Sequence, residues 1–389
     1  MSQLDLVLFD HREWGQLFPL TFTRPISELR IGITTIAQKW SSESGKKVYY
    51  HSADYLAQKY TKSVAAQAIM INGAVLPTVE LLERIRSLSL QDVLKCGETI
   101  VAFKTKDYGS ECTIEDMIES LNVIEIDQIE VVEWPEDILR LNDIWIERDV
   151  NKMHSRDDHV DLSNTIIIGP KEKIKIGSDA RLYAYSMNTS DGPIHIGNNV
   201  IIMEGAMLRG PISVGDNSVI KMGAKLYGKT SIGPNCKVGG EIKRVVMYAN
   251  SNKGHEGYLG DSVIGEWCNF GADSNNSNMK NTYGKVNLYN ISAGQKRKTS
   301  EHFMGLIMGD HCRCAINTQF NTGTVASYFA NIFGTPPSTY IKPFQWGEEG
   351  QSELAKALDI ARIVHERRQY EFLDEDEAII RFLYNRYCK

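Results

Sequence analysis

The stretch PIHIGNNVIIMEGAMLRGPISVGDNSVIKMGAKLYGKTSIGPNCKVGG, Pro193 to Gly240, decides how the larger half of this 389-residue chain is read. It repeats an aliphatic residue, a Gly, two variable residues and a small residue: Ile196-Gly197 with Val200, Val214-Gly215 with Ser218, Ile232-Gly233 with Cys236. The same unit stands upstream at Ile176-Gly177 with Ala180, and downstream at Ile264-Gly265 with Cys268 and Met308-Gly309 with Cys312. The first four stations lie 20, 18 and 18 residues apart, and 18 is three hexapeptides, the length of one triangular coil of a parallel β-helix. The later gaps of 32 and 44 residues require insertions. Stacked coils need the aliphatic residue and the small residue four places on to point inward, with Gly to turn the corner. Three of the seven cysteines thereby gain a packing role.

Upstream the rhythm differs. From residue 4 to about 150, β-rich runs (LDLVLF, KVYY, AIMING, ETIVAFK) alternate with helical patterns (GITTIAQKW, ADYLAQKY, PTVELLERIRSL, IEDMIESL). That alternation predicts an α/β domain with a largely parallel sheet. Pro135 to Asp149 reads as one amphipathic helix carrying Ile138, Leu141, Ile144 and Trp145 on one side. The polar run HSRDDHVDLSN has the character of a linker, and from Gln351 the chain turns helical again in SELAKALDIARIVHERR and DEDEAIIRFLYNRY. The expected organisation is an α/β domain at 1–150, a linker at 151–165, a β-helix at 166–345 and a short helical extension at 346–389.

With 42% hydrophobic and 24% charged residues and a formal net charge of -6, the composition points to neither a nucleic-acid nor a membrane partner, although local basic spots suit a small anionic ligand. The opening MSQLDLVLFDHREW has no basic segment followed by an apolar one, and no apolar run approaches membrane-spanning length, so a cytoplasmic protein is expected. The cysteines are odd in number and scattered, and HCRC lacks the spacing of a zinc knuckle, so reduced thiols are expected.

The chemistry centres on KGHEGYLGDSVIGEWCNFGADSNN, Lys253 to Asn276. By itself His255, between Gly254 and Glu256, reads as a loop residue at an interruption of the coil rhythm. Its neighbours change that reading: EIKR begins at Glu241, GHEGYLGD at Gly254 and IGEWCNFGAD at Ile264, and Asn278 follows. Over about 80 residues this order resembles the acetyltransferase domain of the bifunctional GlmU family, glucosamine-1-phosphate N-acetyltransferase joined to N-acetylglucosamine-1-phosphate uridylyltransferase. The resemblance implies a left-handed β-helix with His255 as catalytic base and Lys243, Tyr258, Asn269 and Asn278 as sugar-phosphate and amine-site residues. Lys225 falls where the family carries a phosphate-holding Arg, which keeps a cation and loses the bidentate fork. Met279 replaces a family Tyr, and Lys296, in KRKT, matches a family phosphate or sugar contact across an inserted segment, Asn281 to Gln295. The resemblance also implies acetyl-CoA as co-substrate, bound between adjacent subunits of a homotrimer, with AINTQFNTGTVASYFANIFG bordering it.

These residue types suit the reaction. Acetyl transfer to a sugar amine needs a base for the amine proton and a donor for the developing oxyanion. Histidine is the side chain whose unperturbed pKa lies near the working pH. The irregular chain around Ala272 offers a backbone N–H for the oxyanion.

At the other end, LVLFDHREWGQLFPLTFTRPISELRIG resembles the opening of sugar nucleotidyltransferases, with PLTFTRP at Pro19 to Pro25. The glycines that would cradle a triphosphate are replaced by Asp10, His11, Arg12 and Glu13, with a single Gly15. In INGAVLP, Ala74 stands where the family's Asp binds Mg²⁺, so the metal ligands are unidentified. Arg12, Arg24 and Arg30 are candidate nucleotide or sugar-phosphate contacts, or equally partners of Asp10, Glu13 and Glu28. Mg²⁺ and UTP enter only if this half is active. The expected function is amino-sugar-phosphate N-acetylation on the route to UDP-N-acetylglucosamine. The alternatives are a sugar-1-phosphate nucleotidyltransferase with a structural β-helix, and a non-catalytic hexapeptide-repeat assembly protein.

Overall fold

The computed structural model describes residues 4–63, 65, 67–106, 108, 113–153 and 162–388, and most of the expected linker lies outside them. The chain divides into two compact units: Met1–Leu17, Thr23–Leu29 and Thr34–Trp134 form the first, and Phe18–Phe22, Arg30–Ile33 and Pro135–Lys389 the second.

The first unit is built on a six-stranded sheet ordered Val48–His51, Asp5–Phe9, Ala68–Asn72, Thr99–Thr105, Asp92–Cys96, Asn122–Glu125. The first three strands are parallel. Asp5–Phe9, in their middle, buries Leu6, Val7, Leu8 and Phe9 alike, as a strand covered on both faces must. Thr99–Thr105 runs antiparallel to both of its neighbours, which corrects the expectation of a largely parallel sheet. The reason is local: only Gly97, at φ +55°, and Glu98 separate it from Asp92–Cys96, too few residues for a parallel crossover. Helices form at Ile36–Ser44, opened by a reciprocal Thr35 and Gln38 capping box, and at Val79–Ser87, capped by Thr78. The run ADYLAQKY yields no more than a 3-10 turn at Asp54–Leu56.

The second unit is the β-helix that the repeat predicts. Its first face carries Ile174–Ile176, Ile194–Ile196, Ile212–Val214 and Thr230–Ile232, each parallel to the strand one coil earlier. The second face carries Arg181–Leu182, Ile201–Ile202, Val219–Ile220, Lys237–Val238, Asn252–Lys253 and Asn269–Phe270. The third carries Ser186–Asn188, Met207–Arg209 and Lys225–Leu226. Two longer strands, Glu241–Met247 and Tyr258–Ile264, run from the third face round a corner onto the first. The station residues Ile176, Ile196, Val214, Ile232, Ile264 and Met308 are all buried, as are Val200, Ser218, Cys236, Cys268 and Cys312; Ala180, at the end of the stack, is partly so. The Gly that follows each station has a steric cause: a Cβ on Gly265 would lie 2.4 Å from the Asp310 carboxylate, which accepts the Glu266 N–H from the next coil.

One corner of every coil adopts a left-handed conformation, at Asp179, Asn199, Asn217, Asn235, Asn250, Trp267, His311, Phe329 and Phe344, with φ between 55° and 62°. The early corners use Asn or Asp, which tolerate this region. The later ones are aromatic and stack, with ring centroids 6.1 Å apart for Trp267 and His311, 4.8 Å for His311 and Phe329 and 5.6 Å for Phe329 and Phe344. The C-terminal helices Leu354–Arg367 and Asp374–Tyr387 cover this column, His365 stacking on Trp267 at 3.9 Å and Tyr384 meeting Phe344 edge-on. Stacking offsets the backbone cost of bulky residues at positive φ.

The helix Pro135–Asn151, expected to close the α/β domain, packs with the β-helix. Asn142 Oδ1 accepts from Ser231 Oγ at 2.7 Å and from the Gly32 N–H at 2.8 Å, while its Nδ2 donates to the Lys229 carbonyl. Ile138, Leu141 and Trp145 are buried, whereas Ile144 is 41% exposed and lies off that apolar side.

Candidate active site on the β-helix

The third face brings Lys225, Glu241 and Tyr258 into one ladder, paired in register across three coils, with Lys243 opposite Gly260. Alternation along Glu241–Met247 buries Ile242 and turns Glu241 and Lys243 outward, and both Lys225 and Lys243 are exposed. The Tyr258 ring lies over Gly260, where a Cβ would stand 2.1 Å from the phenol oxygen. That contact is why a Tyr in this place needs a Gly two residues on.

Tyr258 and Asn278 meet directly. Asn278 Nδ2 donates to the Tyr258 hydroxyl at 3.0 Å and to Asp261 Oδ2 at 2.6 Å. Asp261, buried at the corner with φ +47°, pairs through Oδ1 with Arg244 at 3.3 Å. Arg244, itself at φ +52°, reaches Asp143 of the Pro135 helix at 3.2 Å and Glu301 at 3.9 Å. A continuous polar network therefore runs from that helix to Tyr258. Burial, then Asp261 and Glu241, push the Tyr258 hydroxyl up to about 12, so it remains a neutral phenol. Burial works against the Arg244 charge, but Asp143 and Asp261 outweigh it and raise its pKa.

The remaining candidates are more dispersed. His255 is exposed at the corner between the second and third faces. Asn269 is exposed on the second face, where its Oδ1 accepts from Asn252 Nδ2 at 3.3 Å; Arg368, after the first C-terminal helix, donates in turn to Asn252 Oδ1 at 2.7 Å. Lys296 lies exposed on the hairpin Asn287–Asn290 and Gln295–Lys298, opposite Tyr289. Its neighbour Arg297 holds that hairpin by two 2.7 Å bonds to Glu136.

Sequence reasoning missed Arg244 and Asp261 as functional residues, although both stand in the strings that carried the resemblance, EIKR and YLGD. Their signal was an opposite charge pair 17 residues apart, close to one coil.

The first unit has its own cleft, of about 510 Å³, lined by Asp10, His11, Arg12, Trp14, His51 and Glu115 among others. It opens at the carboxyl ends of Asp5–Phe9 and Val48–His51, where the chain leaves the central strand for one side and later returns on the other. Asp10 Oδ1 accepts the Ile26 N–H at 2.8 Å, its Oδ2 has no hydrogen-bond partner, and burial pushes the carboxyl up to about 8. Fully buried Glu13 pairs with Arg12 at 3.4 Å, and His11 bonds Glu115 at 2.8 Å. Of the three candidate arginines, Arg12 lines the cleft. Arg24 is buried and bonds Thr23, and Arg30, in the second unit, donates to the Ile33 carbonyl. At the strand end compared with a Mg²⁺ site, Asn72 spends its amide on Ala74 N and the Ile100 carbonyl, and Ala74 has nothing to offer. Among the described residues no group of three or more His, Cys, Asp or Glu is placed to hold a metal ion, and no helix is long and apolar enough to cross a membrane.

Comparison with known proteins matches both units. Residues 6–157 match the sugar nucleotidyl transferase family, and residues 193–228 match the bacterial transferase hexapeptide (six repeats) family. The chain is 36% identical over 83 residues to the bifunctional protein GlmU of Methanocaldococcus jannaschii, covering 21% of this chain and 20% of that protein. It is 28% identical over 237 residues to the bifunctional protein GlmU of Rippkaea orientalis, covering 58% and 48%. It is 31% identical over 93 residues to a bifunctional sugar-1-phosphate nucleotidylyltransferase/acetyltransferase of Sulfurisphaera tokodaii, covering 24% and 23%. The matches span less than half the length of each relative. A stretch that matches a sugar nucleotidyl transferase family is thus followed by a β-helix that matches a bacterial transferase hexapeptide family, the order found in two-domain transferases. Within that arrangement the chain is similar, at modest identity, to proteins described as bifunctional GlmU.

Proposed function

We propose that the β-helical unit transfers the acetyl group of acetyl-CoA to the amine of glucosamine 1-phosphate or a closely similar amino-sugar phosphate. The observation that carries this reading is the hydrogen-bond arithmetic of the Tyr258 and Asn278 pair. Both N–H groups of Asn278 are spent, on Tyr258 and Asp261, which leaves its side-chain carbonyl to act toward a ligand as an acceptor only. Tyr258 accepts one bond and keeps its own O–H to donate. An acceptor beside a donor, flanked on the same face by the cations Lys225 and Lys243, suits a hydroxylated, amine-bearing sugar with an anionic group.

In the reaction, the amine attacks the thioester carbonyl, His255 takes the amine proton, and the tetrahedral intermediate collapses with loss of the CoA thiolate, which is then protonated. Lys225 and Lys243 hold the phosphate as point charges. The separation of Asn269, on the second face, from Tyr258, on the third, supports a site completed by a neighbouring copy, and a cytoplasmic homotrimer is the setting this reading implies.

The first unit takes a sugar phosphate or nucleotide in its cleft under the same reading, supported by its family match and by Arg12. Its residues do not fit a Mg²⁺ site at the strand end of Asn72 and Ala74, so no metal-dependent uridylyl step is derived.

The test is release of free CoA thiol by the full chain from acetyl-CoA, with and without glucosamine 1-phosphate. Sugar-dependent release whose KM rises at least tenfold in Lys243→Ala supports the assignment. Release that is absent, or indifferent to the sugar, removes it.

A further inference from the structure

The inward positions of the second face hold Ile202, Ile220 and Val238, then Lys253, then Phe270, Cys314 and Ile332. Six of these seven are apolar or thiol side chains, and the seventh is a lysine only 1% exposed. A charge placed at a core position is costly and is retained where it performs a task. Here the Nζ reaches the corner just ahead of it, donating to the main-chain carbonyl of His255 at 2.5 Å and to that of Glu256 at 3.0 Å.

The same corner is packed from both sides. Beneath it Gly240, at φ +76°, leaves room that a Cβ would close to 2.9 Å from the His255 carbonyl; above it the Asp273 N–H donates to the Glu256 carbonyl. The His255 carbonyl is thus drawn into the β-helix while its residue remains exposed.

We propose that Lys253 is a positioning residue, which from inside the β-helix fixes the backbone of the His255 corner and so aims the imidazole at the acceptor amine. This rests on the acetyl-transfer reading above. The charged and titratable groups facing the ammonium are Glu256 on its own corner, Asp273 on the next and Cys314 on the coil beyond; all three favour its charge, yet burial dominates and brings it down to about 8.

The experiment compares Lys253→Met, Lys253→Arg and His255→Ala in the full chain, by acetyl-transfer kinetics from pH 6 to 10 and by thermal melting. Lys253→Met keeps the volume and removes both bonds. It should lower kcat roughly 10- to 100-fold with KM for the sugar within about twofold, while the melting temperature holds or rises. The alkaline limb that deprotonation of Lys253 gives the native kcat profile near pH 8 should vanish in Lys253→Met. In Lys253→Arg, which keeps the donors, kcat should recover and the limb move above pH 10. Native kcat in Lys253→Met, or a limb unmoved in Lys253→Arg, overturns the proposal, and the Arg variant alone decides if the Met variant does not fold. An active His255→Ala would instead overturn the role of His255 as base, and a native chain without sugar-dependent acetyl transfer would overturn the acetyl-transfer reading itself, so the failures are distinguishable.

Discussion

The cleft of the first unit and the corner network of the β-helix treat buried polar groups in opposite ways. In the cleft, Asp10 and Glu13 each leave one buried carboxyl oxygen without a hydrogen-bond partner. On the β-helix, Asn278, Asp261, Arg244 and Asp143 are joined end to end. Satisfied networks hold geometry, whereas unsatisfied buried groups store free energy that a bound ligand can release. The β-helix thus has a rigid frame for the proposed site, and the cleft has the electrostatics of a site that changes when filled.

The strongest way to break this contrast is His255→Ala, which should reduce acetyl transfer by roughly 10²- to 10⁴-fold in steady-state assays and leave the melting temperature unchanged, since the side chain is exposed. Arg244→Ala comes next. It strands Asp261 and Asp143, both mostly buried, and should cost about 3 kcal/mol of stability in denaturant titration. A variant as stable as the native protein would show that the network is ornamental.

Tyr258→Phe removes the hydroxyl that accepts from Asn278, and a loss of about 1 kcal/mol in sugar binding, measured calorimetrically, is expected. A last test, read through pH, sharpens the cleft side. Asp10 is raised from 3.8 to about 8, so between those values the folded state holds a proton that the unfolded state has lost. Its contribution is complete below pH 4 and declines as pH rises toward 8. Asp10→Asn keeps an acceptor for Ile26 and should flatten that decline in melting curves from pH 4 to 8, with acetyl transfer untouched.

The β-helix was legible because its constraint is repetitive: each coil must place Ile196, Val214 or Ile232 inside and admit the next coil against the following Gly. Tyr258 and Asn278 were legible from the motif strings, yet their bond was not, because it links residues 20 apart across an irregular corner. The mixed sheet escaped because the two-residue turn at Gly97 looks, one strand at a time, like any other gap. The helix Pro135–Asn151 was assigned to the α/β domain by its nearness in sequence, whereas Asn142 and Asp143 bond Lys229, Ser231 and Arg244. Lys253 was readable only after register showed it in line with Val238 and Phe270. Arg24 and Arg30 show the converse, since being basic and near a motif did not place them in the cleft.

The left-handed corner column also sets an order of events during synthesis. Coils with Asn199, Asn217 and Asn235 at the corner expose only polar edges there and can stack as they leave the ribosome, since solenoids grow by neighbour contacts. The coils cornered by Trp267 and Phe344 gain their outer ring partners only when the two C-terminal helices have emerged, His365 of the first for Trp267 and Tyr384 of the second for Phe344. The nascent chain therefore carries a temporary apolar stripe along its newest coils, the surface on which a chaperone would act, and the two C-terminal helices remove it in turn.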